Sequence, residues 1–299
     1  MEQNNWLAAH IFYPGNLDNV LVYLVRPFLN NISVKLQQPT PYFFIRYWEE
    51  GSHIRLRLNP VPGKEEFIRK ELLTRAASFF REYPALPRDS GSSLPAPTVQ
   101  FVPYIPETER YGNLKSLPQA EYQFFRSSAF VLEWLTGTSK APILIESLRM
   151  HLILLLATGQ DLNRLNEICT FFIDGWLPRL YDGSTDEAIQ KEQWLKLFRQ
   201  SFLRHSEQIL PASGIFREEL VQGTADPRSL TFLQANTDIF REYENIGFTD
   251  DKMKSVISSM IHMGNNRLGI SNHEEAYGMY CTQQCLQFIH KTKSRISNP

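Results

Sequence analysis

Polar and apolar residues alternate without a break over His53-Ile54-Arg55-Leu56-Arg57-Leu58. A strand turns successive side chains to opposite faces, so this pattern predicts a strand with His53, Arg55 and Arg57 on one face and Ile54, Leu56 and Leu58 on the other. The preceding run, Tyr42-Phe43-Phe44-Ile45-Arg46-Tyr47-Trp48, is rich in β-formers. Glu49-Glu50-Gly51-Ser52 between them reads as a four-residue hairpin loop. That loop pairs Trp48 with His53, Arg46 with Arg55 and Phe44 with Arg57, and gathers three arginines in one patch. A register slip of one residue would send Arg46 to the opposite face. Residues 6–13 read as an earlier strand. Over residues 17–29, Leu17, Val20, Leu21, Leu24 and Phe28 recur at helical spacing.

Pro60-Val61-Pro62-Gly63 ends the hairpin. Residues 64–83 follow as an amphipathic helix carrying Phe67, Leu72, Ala76, Phe79 and Phe80, and residues 84–98 form a loop rich in Pro, Gly and Ser. Residues 99–104 read as another strand. From Pro118 onward the periodicity is helical, with helices expected over 118–136, 140–158, 161–180, 186–206, 228–245, 249–267 and 272–292. The expected fold class is α+β: a mostly antiparallel sheet with helices over residues 1–115, packed on a larger helical region over 116–299. The two regions carry no strong linker between them and are expected to form a single domain.

Composition narrows the function. The chain has 299 residues, 42% of them hydrophobic, with a net charge of −1 and a pI near 6.7. A nucleic-acid binder usually shows a basic excess, so direct nucleic-acid binding is not expected and the arginine cluster reads as a local site. Cys169, Cys281 and Cys285 lack the spacing of a disulfide framework or a metal site and read as packed helical thiols. The start, Met1-Glu2-Gln3-Asn4-Asn5, is polar, with no visible signal peptide. The longest apolar run, near residues 152–157, is too short to span a bilayer. A soluble, cytoplasmic protein is expected.

Arg55 and Arg57 are two residue rises apart, roughly 7 Å. Like charges that close are costly unless an anion lies between them, so this face suits a carboxylate or a phosphate. Glu107 and Arg110 share one side of a Pro-bounded turn in Pro106-Glu107-Thr108-Glu109-Arg110-Tyr111-Gly112. They form either a surface ion pair or part of a site. His262 has Ser258 one helical turn before it and Asn266 one turn after it. This stripe either packs as a satisfied core histidine or lines a cavity in which the imidazole exchanges protons near neutral pH. His10, His151, His205, His273 and His290 show no partner spacing, and no phosphate loop, zinc signature or nucleophile elbow is present.

Four segments occur in the order of a known family: Phe43-Phe44-Ile45-Arg46-Tyr47, His53-Ile54-Arg55-Leu56-Arg57, Pro106-Glu107-Thr108-Glu109-Arg110-Tyr111-Gly112 and His262-Met263-Gly264-Asn265-Asn266-Arg267-Leu268. Together they resemble the C-terminal elimination domain of LanB-type lantibiotic dehydratases, also called the thiopeptide-type bacteriocin biosynthesis domain. The resemblance covers essentially the whole chain. It implies removal of glutamate from glutamylated Ser or Thr of a ribosomal precursor peptide, giving dehydroalanine or dehydrobutyrine. The resemblance implies a catalytic set of Arg55, Arg57, Glu107, Arg110 and His262; Arg46 and His53 on the hairpin and Asn266 on the His262 stripe are expected to bind substrate. The implied partners are the precursor peptide and a separate subunit that glutamylates it from glutamyl-tRNA. It implies no metal, no cofactor and no membrane, and leaves room for a homodimer. Where the family has Gly-Gly after Arg-Tyr, this chain has Gly112-Asn113. Some stand-alone members instead join two dehydroalanines by [4+2] cycloaddition into a pyridine. A non-catalytic peptide-binding module is the alternative of a different class.

Overall fold

The computed structural model describes residues 6–84, 96–138 and 140–296. The polar start of the chain and most of the loop expected over 84–98 lie outside the described residues. Contacts divide the chain into two compact units, Met1–Glu107 with Phe124–Lys140 and Thr108–Gln123 with Ala141–Pro299.

The first unit is built on a four-stranded sheet of β1 (Leu7–Phe12), β2 (Tyr42–Tyr47), β3 (His53–Leu58) and β4 (Thr98–Val102), in the order β2-β3-β1-β4. All three pairings are antiparallel. The alternation of β3 is realised as expected: Ile54, Leu56 and Leu58 are fully buried on one face. A helical run supplies Val20, Leu21, Leu24, Phe28 and Ile32 to the same core. It comprises α1 (Leu17–Asn19), a π-helical segment (Val20–Val25) and α2 (Arg26–Leu36). Asn16 caps its start through the backbone N–H of Asp18. The wide π turn immediately precedes Pro27. A proline ring clashes with the carbonyl four residues back, and a widened turn relieves that clash. The run extends past the expected end at residue 29, because Asn30, Asn31, Ser33 and Lys35 dilute the apolar stripe while Ile32 still packs. The core is completed by α3 (Glu65–Glu82), through Ile68, Leu72, Ala76 and Phe79. The later part of α4 (Leu117–Thr136) also contributes, with Ser128 Oγ accepting the backbone N–H of Phe44.

The hairpin register differs from the expected one. Tyr47 pairs with His53, Ile45 with Arg55 and Phe43 with Arg57. The connection is five residues, 48–52, with Glu50 (φ 61°) and Gly51 (φ 116°) both left-handed. That added residue moves Arg46 off the arginine face. Arg46 now pairs with Ile54 on the helix-covered side and reaches Asp18 Oδ1 at 2.7 Å. The energetic reason is visible in the exchange: Arg46 gains a carboxylate, and Tyr47 takes the position across from His53.

In the second unit, α5 (Ile143–Ala157) is predominantly apolar and correspondingly buried, with Leu148, Met150, Leu152, Ile153, Leu154 and Leu155 all at 4% exposure or less. Around it pack α8 (Ser206–Gln222), α9 (Pro227–Asn245), α10 (Asp250–Leu268) and α11 (Glu275–Ile296). Beside α11 lies α6 (Leu162–Trp176), continued by a 3-10 turn (Leu177–Leu180), and α7 (Glu187–Leu203) completes the unit. Helix α8 falls where no helix was expected, because Pro211 and Gly214 lie inside it. Ser213, Phe216 and Leu220 bury one face of α8, and this packing outweighs the lost backbone bond. Gly264 on α10 faces the end of the Met150 side chain on α5: a Cβ there would lie 2.9 Å from Met150 Cε, and the methionine would have to shift. No helix among the described residues is long and apolar enough to cross a membrane.

Replacing Asp18 by Ala should leave the largely buried Arg46 guanidinium without its carboxylate. Because Asp18 is 39% exposed, the loss should be about 2 kcal/mol rather than the full penalty of a buried charge. Urea denaturation should show it, and Arg46→Met in the same background should recover most of it. An unchanged midpoint in the single variant would argue against this ion pair.

Candidate active site

On the face of the sheet opposite the helix-covered core, β3 presents His53, Arg55 and Arg57, while β1 places Ala8, His10 and Phe12 across from them. His10 pairs directly with Arg55, and its ring centroid lies 5.0 Å from that of His53. On the other flank the Arg55 guanidinium lies 3.3 Å over the ring of Tyr47. A cation gains attraction from the face of an aromatic ring. Arg57 lies 5.9 Å over Phe43, within a cluster that includes Trp6 and Tyr104.

The hydrogen bonds fix the state of His53. Arg55 Nε can only donate, and it donates to His53 Nε2 at 3.1 Å. His53 therefore carries its proton on Nδ1, which donates to the carbonyl of Gly51 at 2.7 Å. The left-handed turn at Gly51 is what aims that carbonyl at the ring. Burial, followed by the neighbouring arginines, lowers the pKa of His53. Burial, then Arg55 and Arg57, drives His10 down to about 4. Both imidazoles are thus neutral near pH 7 and add no repulsion to the two guanidinium groups. Burial, then Arg55, lowers Arg57 to about 10, with Tyr104 and Glu107 opposing. Its Nε and Nη1 are buried without a hydrogen-bond partner among the described residues. A charged donor held in that condition is suited to an incoming anion.

The second unit holds the candidate proton-transfer group. His262 on α10 is partly exposed, and Trp176 stacks on it at 4.4 Å. Arg179 in turn covers Trp176 at 3.8 Å. His262 Nδ1 lies 2.8 Å from Glu275 Oε1. The other oxygen of Glu275 accepts from Asn265 Nδ2 at 3.2 Å, and the carboxyl group is fully buried. Burial pushes the pKa of Glu275 up, while His262, Asn265 and Arg179 pull it back. The network continues inward: Asn265 Oδ1 lies 2.8 Å from His151 Nε2, and Ser147 Oγ donates to it at 3.2 Å. His151 Nδ1 meets Thr282 Oγ1 at 3.0 Å. His151 is fully buried, and that burial lowers its pKa to about 4. Ser258 Oγ, one turn before His262, is buried with no hydrogen-bond partner among the described residues.

The expected site residues therefore distribute as follows. His53, Arg55 and Arg57 share the sheet face, and the charge of Glu107, beyond β4, acts on Arg57. Arg46 is not on that face. In the second unit, Arg110 sits beside the ring of Tyr111 on a turn fastened by two bonds to the Tyr111 carbonyl, from Tyr243 Oη and Ser116 Oγ. Gly112 follows at φ 119°, where a side chain would collide with Phe248 and Ser116. Asn266 is half-buried on α10, and the amide that reaches Glu275 is its neighbour Asn265. Sequence reasoning passed over His10, His151, Asn265 and Glu275. His10 could have been found from the strand alternation once β1 was paired with β3. Glu275 carried a weaker signal, a carboxylate in the first turn of the helix after α10.

The first unit thus carries a cationic sheet face, and the helical unit holds a histidine against a buried carboxyl group. Residues 6–286 match the family described as Lantibiotic biosynthesis dehydratase C-term, and the chain belongs to that family. Solved structures share the fold. TbtD, a pyridine synthase from thiomuracin biosynthesis, is 15% identical with a TM-score of 0.72, over 97% of this chain and 100% of that one. TsrL is 14% identical with a TM-score of 0.67, over 96% and 95%. The tRNA dependent lantibiotic dehydratase MibB from Microbispora sp. 107891 is 16% identical with a TM-score of 0.64; the match spans 99% of this chain and 29% of MibB. A search of curated proteins finds no match.

The lowered pKa of His151 makes stability depend on pH with a definite sign. In the unfolded chain His151 takes up its proton near 6.5, and in the folded chain only near 4. Its contribution is therefore complete above about pH 6.5 and is lost as pH falls through that window, about 3 kcal/mol in all. His10, half-exposed, works in the same direction, and Glu275 in the opposite one. Unfolding free energies near pH 7 and near pH 4.5 should differ less in His151→Gln than in the parent chain. Equal differences in both would show that His151 titrates normally in the fold.

Proposed function

We propose that this chain eliminates glutamate from glutamylated Ser or Thr in a ribosomal precursor peptide, leaving dehydroalanine or dehydrobutyrine. The observation that carries the reading is the pair of guanidinium groups on one sheet face, with Arg57 Nε and Nη1 buried and unpartnered among the described residues. Glutamate bound through its side-chain ester leaves as a carboxylate and also carries an α-carboxylate. Both are anions of the kind that such donors hold.

In the proposed step, His262 takes the α-proton of the esterified residue. The C–H electron pair becomes the Cα=Cβ bond, the Cβ–O bond breaks, and its electrons leave on the glutamate γ-carboxylate. Negative charge builds transiently on the peptide carbonyl oxygen and on the departing oxygen. Preorganised cations lower the barrier only where that charge develops. Arg55, Arg57 and Arg110 are assigned to these anionic groups, Glu107 to orienting an arginine, and His53 to holding Arg55 in place. The scheme uses no metal or cofactor. The proposed source of the ester is a separate subunit that transfers glutamate from glutamyl-tRNA. The partial match to MibB supports that division of labour.

The likeness to TbtD over its full length favours a second reading, [4+2] cycloaddition between two dehydroalanines. The two readings separate on substrate. From a glutamylated peptide, the purified chain should release free glutamate and leave each processed residue lighter by one water than the unmodified Ser or Thr, which mass spectrometry reads directly. Arg57→Ala should lower kcat/KM about 100-fold and let the glutamylated peptide accumulate. Wild-type activity in Arg57→Ala would remove that residue from the scheme. A pyridine formed from a peptide already containing dehydroalanines, with glutamylated peptide left untouched, would replace elimination by cycloaddition.

A further inference from the structure

We propose that Glu275 is a positioning residue that fixes the tautomer of His262, and that the buried polar chain through Asn265 to His151 fixes how Glu275 is held. The catalytic consequence rests on the elimination reading; the tautomer assignment does not. The argument follows donors and acceptors along the chain. A carboxylate only accepts, so Glu275 Oε1 at 2.8 Å requires a proton on His262 Nδ1. A neutral imidazole then presents a lone pair at Nε2, the nitrogen that must receive a proton in catalysis. Glu275 Oε2 likewise requires the amide nitrogen of Asn265 to face it. The Asn265 oxygen therefore faces inward, toward two groups able to donate, His151 Nε2 at 2.8 Å and Ser147 Oγ at 3.2 Å. A flipped Asn265 would set its oxygen against the carboxylate and leave both inner groups without their acceptor. Each link thus has one low-energy orientation, and the order runs from the core of the unit to the partly exposed ring.

Glu275→Gln distinguishes this from a merely structural contact. Asn265 still needs an acceptor, so the oxygen of the substituted amide should face Asn265 and its nitrogen should face His262. His262 Nδ1 then accepts, and the proton moves to Nε2. Histidine-selective ¹⁵N NMR of the full chain should report the proton on Nδ1 of His262 in the parent and on Nε2 in Glu275→Gln, with the signal assigned by its loss in His262→Gln. On glutamylated peptide, Glu275→Gln should reduce kcat about 100-fold with KM little changed. Glu275→Asp, which keeps an acceptor, should retain the parent tautomer and recover part of kcat. An unchanged tautomer in Glu275→Gln, with the fold verified by its melting curve, would overturn the proposal. The same holds if the tautomer switches and kcat stays at the parent value. A parent chain that shows the Nδ1 proton but releases no glutamate would leave the positioning role standing and sink the elimination reading instead.

Discussion

The sheet face that carries Arg55 and Arg57 must hold two positive charges side by side without a built-in carboxylate directly across from either. The surrounding residues make this tolerable. His10 and His53 stand next to the arginines and are kept neutral by burial and by the arginines themselves. Tyr47 and Phe43 offer ring faces in place of counter-ions. Aromatic faces attract a cation more weakly than a carboxylate does, and that of Phe43 leaves Arg57 Nε and Nη1 without an acceptor among the described residues. The result is a positive surface on which Arg57 keeps donors free of any hydrogen-bond partner among the described residues. A carboxylate opposite Arg57 would have made the sheet more stable and the face useless to an anionic ligand.

That surface depends on one turn. Had the hairpin closed with four residues, Arg46 would stand with Arg55 and Arg57, and Tyr47 would face the helices. The left-handed Glu50 and Gly51 accommodate the fifth residue, and the same turn aims the Gly51 carbonyl at His53. Register, tautomer and charge are therefore set together. In the second unit, burial plays the opposite part. Helix α5 is surrounded by apolar side chains, yet Ser147 and His151 interrupt it on one side, where Asn265 and Thr282 satisfy them. A buried polar group is costly unless paired, and a paired chain of such groups has few alternative arrangements.

Much of this was legible in the sequence. The alternation over β3, the amphipathic stripe of α3 and the helical periodicity from Pro118 onward led directly to the α+β class and to the arginine face. These signals are local: a period of two or of 3.6 states which side of an element is buried. What was not legible was relational. The hairpin register was missed because the preference for a fifth loop residue came from Asp18, in a helical run well before the hairpin. Helix α8 was missed because Pro211 and Gly214 argue against it locally, while its support comes from packing by distant helices. Glu275 was missed because a carboxylate at a helix start is ordinary until its neighbour across the turn is seen to be His262.

The fold alone does not choose between elimination and cycloaddition, since likenesses of 14–16% identity extend to a pyridine synthase and to part of a dehydratase. The choice has to be made on what each reaction demands. Both benefit from donors that polarise a peptide carbonyl. Elimination adds two requirements, an acceptor for the α-proton and a cationic seat for a departing carboxylate. Joining two dehydroalanines expels no carboxylate in the bond-forming step, so beyond polarising a carbonyl it has no use for a second adjacent guanidinium group. Maintaining Arg57 largely buried, with its pKa pulled down to about 10, is a cost to folding that the sheet bears continuously. A departing glutamate is a ligand whose charge would offset that cost at the moment of reaction. This is why the arginine face, more than the shared fold, weighs toward elimination.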